Sequence, residues 1–292
     1  MLKIVENGAE SGVESCSFVA KRTILMLNQR GIVKKSAALL AWSAFSMCLS
    51  AQVTLGPNVG TFGVLAGSAV TNTGNSVVNG NVGVYASTSI TGFPPGLVSV
   101  PFALHSADGF AQAAQSDLTT AYTTAQGLTC PGVNNLSGTD LGGLTLAPGV
   151  YCFSTSAQLT GTLTLSGAGQ YVFQIGSTLT TASGSAVVLI NGALAGNVFW
   201  QVGTSATLGT TTAFVGNILA QSTITLNNGA SLSGRALARI GAVNLNDNAI
   251  SGAVTAGSPV LSNTTAPSSL SLVILALGCV WLYRWKFRVM RS

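Results

Sequence analysis

Between residues 172 and 246 apolar and polar positions alternate in short, repeated runs. Gly176-Ser177-Thr178-Leu179-Thr180 is followed by Gly203-Thr204-Ser205-Ala206-Thr207, Gln221-Ser222-Thr223-Ile224-Thr225 and Gly241-Ala242-Val243-Asn244. Each run reads small-or-hydroxyl, apolar, hydroxyl-or-amide. Side chains along a strand alternate between its faces. Leu179, Ala206, Ile224 and Val243 are therefore expected to point inward. Thr178, Ser205, Thr223 and Ala242 point out, as do Thr180, Thr207, Thr225 and Asn244. The same triplet is read in Gln158-Leu159-Thr160, Ser89-Ile90-Thr91 and Ala69-Val70-Thr71. A unit of about 20–30 residues that cannot bury its own apolar face predicts a solenoid. Stacked coils set equivalent residues about 4.8 Å apart, and two outward residues of one strand about 7 Å apart. The pattern predicts a flat, two-column grid of short hydroxyl side chains. Thr178, Thr180, Ser205, Thr207, Thr223 and Thr225 form its centre, and Ala69, Thr71, Ser89, Thr91, Thr160 and Asn244 extend it.

Other stretches fill in the coils. Asn75–Val84 aligns with the runs at 213–219 and 232–237, which places Gly80, Gly216 and Gly234 in one column, at a corner where backbones pack closely. Phe93-Pro94-Pro95-Gly96 is expected to end its coil, since adjacent prolines exclude ladder hydrogen bonds. The segment 134–149 reads as turn-rich and irregular. Tyr151, Phe153, Phe173, Phe199 and Trp200 precede successive triplets and fit a stacked aromatic core. From His105 to Gly127 the period changes. Phe110, Ala114, Leu118, Ala121, Tyr122 and Ala125 recur at three and four, which predicts a helix capped by Ser106, with Asp108 in its first turn and Gly127 at its end. Its apolar face needs the flank of the solenoid. An inserted helix also implies that the coils before and after it need not stack in chain order.

Lys and Arg sit mostly in the ends of the 292-residue chain, whose net charge is +5. Between Gln52 and Pro267 the charged side chains are Asp108, Asp117, Asp140, Arg235, Arg239 and Asp247. That middle offers no basic patch for nucleic acid. At the front, Arg30, Lys34 and Lys35 precede an apolar run, Ser36–Leu49, and small residues Ser50 and Ala51, the layout of an export signal. Met26 is a candidate start just ahead of it. At the back, Leu270–Tyr283 is apolar and is followed by Arg284, Lys286, Arg288 and Arg291. That run is short of the about 20 residues of a spanning helix, although residues 268–285 reach a thin bilayer. The basic end predicts a cytoplasmic C-terminus. The expected organisation is a leader over 1–51, a solenoid domain over 52–257, a linker over 258–269 and a membrane segment with basic tail over 270–292. Exported protein at the cell surface or outside the cell is the implied location, with membrane contact through residues 270–285. In that oxidising setting Cys130 and Cys152 form an even pair and predict a disulfide; the alternative is two buried thiols.

Catalytic chemistry finds little to build on. His105 is the only histidine and is read as structural, without an acid partner. The aspartates are read as helix and turn hydrogen-bond formers. No His/Cys/Asp cluster has metal-ligand spacing, and the glycine runs lack a phosphate-binding context. Neither an enzyme, a metal, a cofactor nor a small-molecule substrate is expected. A rigid, nearly uncharged array of Thr and Ser offers paired hydroxyls and methyls instead. Its backbone, fixed by sheet ladders, holds them without an ordering cost on binding. Such an array suits a periodic solid surface, ice or a crystalline polysaccharide.

Several stretches carry a resemblance: Phe62–Gly74, Thr91–Gly96, Asp117–Tyr122, Asp140–Leu146, Pro148–Tyr151, Phe173–Thr181, Asn197–Gly203 and Gly234–Ala238. In order and spacing they resemble the secreted ice-binding (antifreeze) proteins built on a discontinuous β-solenoid with a flanking helix. The resemblance covers roughly Val53–Gly252. It implies a mainly β fold, a three-faced right-handed β-solenoid, triangular in section, with one long α-helix alongside and one flat face binding ice. It implies no fixed ice motif, because members vary on that face. The plainer alternative is that the Thr columns reflect only β-propensity. The competing function is a surface adhesin or glycan-binding module on the same fold.

Overall fold

A computed structural model describes residues 52–252; the predicted leader, linker and membrane segment lie outside them. Short runs of alternating burial become short parallel strands, because each turn of the chain buries one side of every strand against the same core. Seven strands form one face in the order Ala157–Leu159, Leu179–Thr181, Ala206–Leu208, Ile224–Leu226, Val243–Asn246, Ala69–Thr73 and Ser89–Thr91. We call this the hydroxyl face. A 14-stranded sheet makes the other two faces. It bends within the eight-residue strands Ala213–Ala220 and Ser231–Ala238, which run from one face onto the next. The bend needs glycine. Gly216 has φ +115°, and a Cβ there would stand 2.7 Å from Val198 Cγ1 and 2.8 Å from Trp200 Nε1. Gly216 and Gly234 are register partners, as the predicted column requires. Gly80 lies at the same corner, where a Cβ would stand 2.8 Å from Gly63 Cα.

The coils do not stack in chain order. Val64 pairs with Ala236, Val70 with Val243 and Val77 with Ala249, so the N-terminal coils dock on the C-terminal one. Helix α1, Gly109–Gln126, then returns the chain along the outside of the stack. Its Ala111, Ala114, Leu118, Ala121, Tyr122 and Ala125 are buried. All but Ala111 belong to a cluster with Phe62, Leu65, Val172, Phe199, Leu219 and Leu237, which cover the helix face of the solenoid. Phe110 is half-buried and packs on Phe62. The cap is Asp108 rather than Ser106. Its carboxylate accepts from Ala111 N at 2.7 Å, while Ser106 sits in the strand Leu104–Ser106 and donates to Thr88 O. Gln174 Nε2 closes the other end by donating to Ala125 O and Leu128 O.

Inside, Tyr151, Phe173, Trp200 and Phe214 stack rung on rung, with centroid separations of 5.5, 3.9 and 4.9 Å. Phe153 joins this core, whereas Phe199 points the other way, to the helix. The irregular segment is a partial coil that closes one end of the stack. Asn135 bridges to Cys152 and Asp140 to Gln158. Cys130 and Cys152 are joined there, their Cα atoms 6.1 Å apart. At the opposite end, Phe93–Gly96 does not end its coil. It makes a turn, Gly96 N donating to Gly92 O, and the chain goes on to the strand Leu97–Val98. The prolines occupy the corner, where no ladder donor is needed.

Candidate functional site, an ordered hydroxyl face

The helix face is covered, which leaves two open faces. On the hydroxyl face one outward column runs Gln158, Thr180, Thr207, Thr225, Asn244, Thr71, Thr91, each residue the register partner of the next. Beneath it Ala157, Leu179, Ala206, Ile224, Val243 and Val70 are buried, and Ile90 is half-buried. The second column is fixed by ladder bonds. Leu179 N donates to Ser205 O, Ala206 N to Thr223 O and Ile224 N to Ala242 O. Thr178, Ser205, Thr223 and Ala242 therefore follow one another, and in the next two coils Ala69 partners Ser89. The structure brings Thr178, Thr180, Ser205, Thr207, Thr223, Thr225, Asn244, Ala69, Thr71, Ser89 and Thr91 onto one face.

Thr160 is the exception. Leu159 pairs with Thr181, so Thr160 falls past the columns at a corner, its N donating to Asp140 Oδ1 at 2.9 Å. Gln158 takes the place expected for Thr160, and Ser156 heads the other column, accepting from Thr178 Oγ1 at 2.7 Å. A slip of two residues preserves which side chains face inward, so alternation alone cannot detect it. The signal that finds Ser156 and Gln158 is the corner. Gly176 N donates to Phe153 O and Gly203 N to Ile175 O. Counting on from Phe153, Ile175 and Val202 puts Ser156, Thr178 and Ser205 in one column.

Neighbouring side chains support each other. Thr223 N donates to Ser205 Oγ at 3.3 Å and Asn244 Nδ2 to Thr225 Oγ1 at 3.4 Å. Thr207, Thr225 and Asn244 are half-buried; Thr180, Thr71 and Thr91 are exposed. Ala242 and Ala69 interrupt the hydroxyls of the second column.

Charge stays off these columns except at one end. Arg235 is buried on the helix face, donating to Gly60 O and Asn217 Oδ1; burial pushes its pKa down to about 10. Arg239 lies with its guanidinium 4.7 Å from the Tyr122 ring centroid. Asp140 partners Gln158 at the end of the stack, but its carboxylate turns to Gly142 N and Thr160 N. Burial opposes ionisation there, and those hydrogen bonds outweigh it and hold the pKa below the usual value. His105 does have an acid partner, contrary to expectation: Nδ1 lies 2.7 Å from Asp108 Oδ2, and its ring packs on Phe62 and Phe110. Asp117 accepts from Asn58 N and Val59 N. Among the described residues no group of His, Cys, Asp and Glu could hold a metal ion, and no helix is long and apolar enough to cross a membrane.

The third face is built on the same ladders with different side chains. One of its columns runs Thr162, Ala186, Ala213, Ser231, Ala249, Val77, Leu97. A 280 Å³ hollow opens over Ala213, Ser231 and Ala249, beside Val77 and Asn79. Val188 and Leu97 are exposed on this face.

Comparison with known proteins bears on this arrangement. The family model described as Ice-binding-like matches residues 64–251. A Nostoc sp. (strain HG1) ice-binding protein is 47% identical over 269 residues, covering 88% of this chain and 98% of that protein. The crystal structure of an ice-binding protein from the Antarctic ascomycete Antarctomyces psychrotrophicus superposes with a TM-score of 0.66 at 41% identity. It covers 70% of this chain and 99% of that one. An ice-binding protein from an Antarctic biological consortium gives a TM-score of 0.65 at 45% identity, covering 68% and 90%. With more than half its length matched and the solenoid, the flanking helix and the out-of-order coils in place, the chain belongs to the ice-binding-like family.

Proposed function

We propose that this protein binds ice through the outer surface of its seven-stranded face. The observation that carries the reading is the in-register column Thr180–Thr207–Thr225 beside Thr178–Ser205–Thr223 on one flat parallel sheet. Parallel ladders repeat at about 4.8 Å, so the hydroxyls and methyls form a lattice rather than a patch. Water held on that lattice is ordered before contact, and no charge in the centre of the columns disturbs it. Binding of this kind is non-catalytic and needs no cofactor. Adsorbed protein stops growth or recrystallisation of the crystal, or holds the cell against it. The similarity to ice-binding proteins supports ice over the competing glycan or adhesin reading.

We further propose that the protein is exported through the leader in residues 1–51 and held at the membrane by residues 270–285. The support is the tripartite leader pattern and the apolar run with its basic end. The paired Cys130 and Cys152 suit an oxidising compartment.

Incorporation of the full chain into a slowly growing ice hemisphere tests the function. Enrichment in the ice fraction over a non-binding control protein is expected. Exclusion from the ice, combined with retention on an insoluble polysaccharide, would favour the glycan-binding module.

A further inference from the structure

Among the described residues, the stack contains one step at which adjacent coils share no chain connection. The coil ending in Ala249–Ile250 is followed in space by the coil at 62–78. The outward column must still cross it, from Asn244 to Thr71. A slip of two residues at this step would keep every apolar side chain inward and carry the N-terminal rungs about 7 Å off the columns. Ladder bonds run from Val70↔Val243 to Thr73↔Asn246. They repeat every two residues, so they favour no single register.

The corner beside the columns does. Asp247 Oδ1 accepts from Asn75 N at 2.6 Å, and its Oδ2 accepts from Asn228 Nδ2 at 3.0 Å. Its own N donates to Thr73 O at 3.0 Å. One carboxylate thus ties three successive coils, including the two that the chain does not join. Asp247 has φ +52°, a left-handed conformation that Asp tolerates better than most residues. Opposite it stands Gly74 with φ +79°, where a methyl would strike the Asp247 carboxylate. The pair fits in this register, and a slip would bring a bulkier residue to the carboxylate.

We propose that Asp247 is a positioning residue that sets the register of the N-terminal rungs, so that Thr71 and Thr91 continue the plane of Thr225 and Asn244. The proposal rests on reading the hydroxyl face as the ice-contact surface. The test is freezing hysteresis and thermal melting of the full chain in a small set of variants. Asp247→Gly removes the carboxylate and keeps the left-handed backbone free of strain. It should lower hysteresis to the level of a grid lacking its N-terminal rungs, with the melt still cooperative. Asp247→Asn, which keeps an acceptor for Asn75 N, should restore it. Thr71→Tyr should cost hysteresis in the wild type and nothing further in Asp247→Gly. Wild-type hysteresis in Asp247→Gly would overturn the proposal, as would an equal Thr71→Tyr loss in both backgrounds. Should Asp247→Gly fail to fold, Asp247→Ala replaces it, and unfolding of both makes the residue purely structural and also overturns it. Thr207→Tyr is the reference. If it abolishes hysteresis while Asp247→Gly does not, the register claim alone fails. If it has no effect, the face itself is misassigned and the proposal falls with it.

Discussion

The hydroxyl face and the third face are made by the same coils and the same kind of parallel ladder, yet they are different surfaces. On the hydroxyl face, Thr180, Thr207 and Thr225 repeat one side chain from rung to rung. On the third face the matching progression is Ala186, Ala213, Ser231, Ala249, Val77 and Leu97. Side-chain size varies along it between a methyl and an isobutyl group, and the small members leave the 280 Å³ hollow. The backbone gives both faces the same spacing. Only the constancy of the side chain makes one of them flat. Regular architecture is therefore necessary for a lattice-like surface and insufficient for one.

The comparison can be broken first at the core that both faces share. Trp200 is stacked between Phe173 and Phe214, and its Nε1 donates to Val215 O on the third face. Trp200→Ala should cost about 3–5 kcal/mol, read as a large fall in thermal midpoint, and both faces should be lost in one transition. Two separate transitions would show that the faces do not share a cooperative unit. Next comes the closed end. Replacing Cys152 by Ser frees the segment from 130 and should cost about 3 kcal/mol. At temperatures well below the lowered midpoint hysteresis should persist, because the central rungs lie coils away from it. A melt unchanged on reduction would show that the bridge contributes nothing.

A smaller effect sharpens the contrast. Ala69 interrupts the second column beside Ser89. Ala69→Thr adds a hydroxyl and a methyl where the lattice lacks them and should raise hysteresis modestly with little change in the melt. A loss of hysteresis at unchanged melt would mean that the gap serves the surface. The smallest effect is that of pH. No residue from Thr178 to Asn244 in the two columns titrates, so hysteresis should be flat across neutral pH. Asp108 and Asp140 set the limit. Burial opposes ionisation at each, and hydrogen bonds from Ala111 N and His105, and from Gly142 N and Thr160, outweigh it and lower the folded pKa. Groups with a lowered pKa stabilise the fold above the unfolded value of roughly 3.9 and lose that contribution as pH falls through the folded one. Melting temperature should therefore hold from neutral pH down to about 4 and fall only below it. A midpoint that drops between pH 8 and 6 would contradict this.

Much of this was legible in the chain because period-two alternation survives in the short hydroxyl-face strands from Leu179 to Val243. The inward residues, the Phe173–Trp200 stack and the helical face at Ala114, Leu118 and Tyr122 follow from periodicity alone. What periodicity cannot supply is register. Gln158-Leu159-Thr160 and Ser156-Ala157-Gln158 alternate equally well, and only the corner at Phe153 separates them. Local choices at element ends were likewise hidden. Asp108 rather than Ser106 caps the helix because Ser106 is already committed to a strand, and the same Asp108 supplies the partner for His105. Asp247 looked like one more turn residue, because its partner Asn75 lies 172 residues away.

The most direct test of the central claim sets the two open faces against each other with one side chain. Thr207→Tyr and Ser233→Tyr each place a phenol on an outward position, the first in the hydroxyl columns and the second in the third-face hollow. Outward positions usually tolerate substitution within about 0.5 kcal/mol, so both full-length variants should melt close to the wild type. Freezing hysteresis should collapse in Thr207→Tyr and stay at the wild-type level in Ser233→Tyr. The reverse pattern, with both proteins folded, would move the ice-contact surface to the third face.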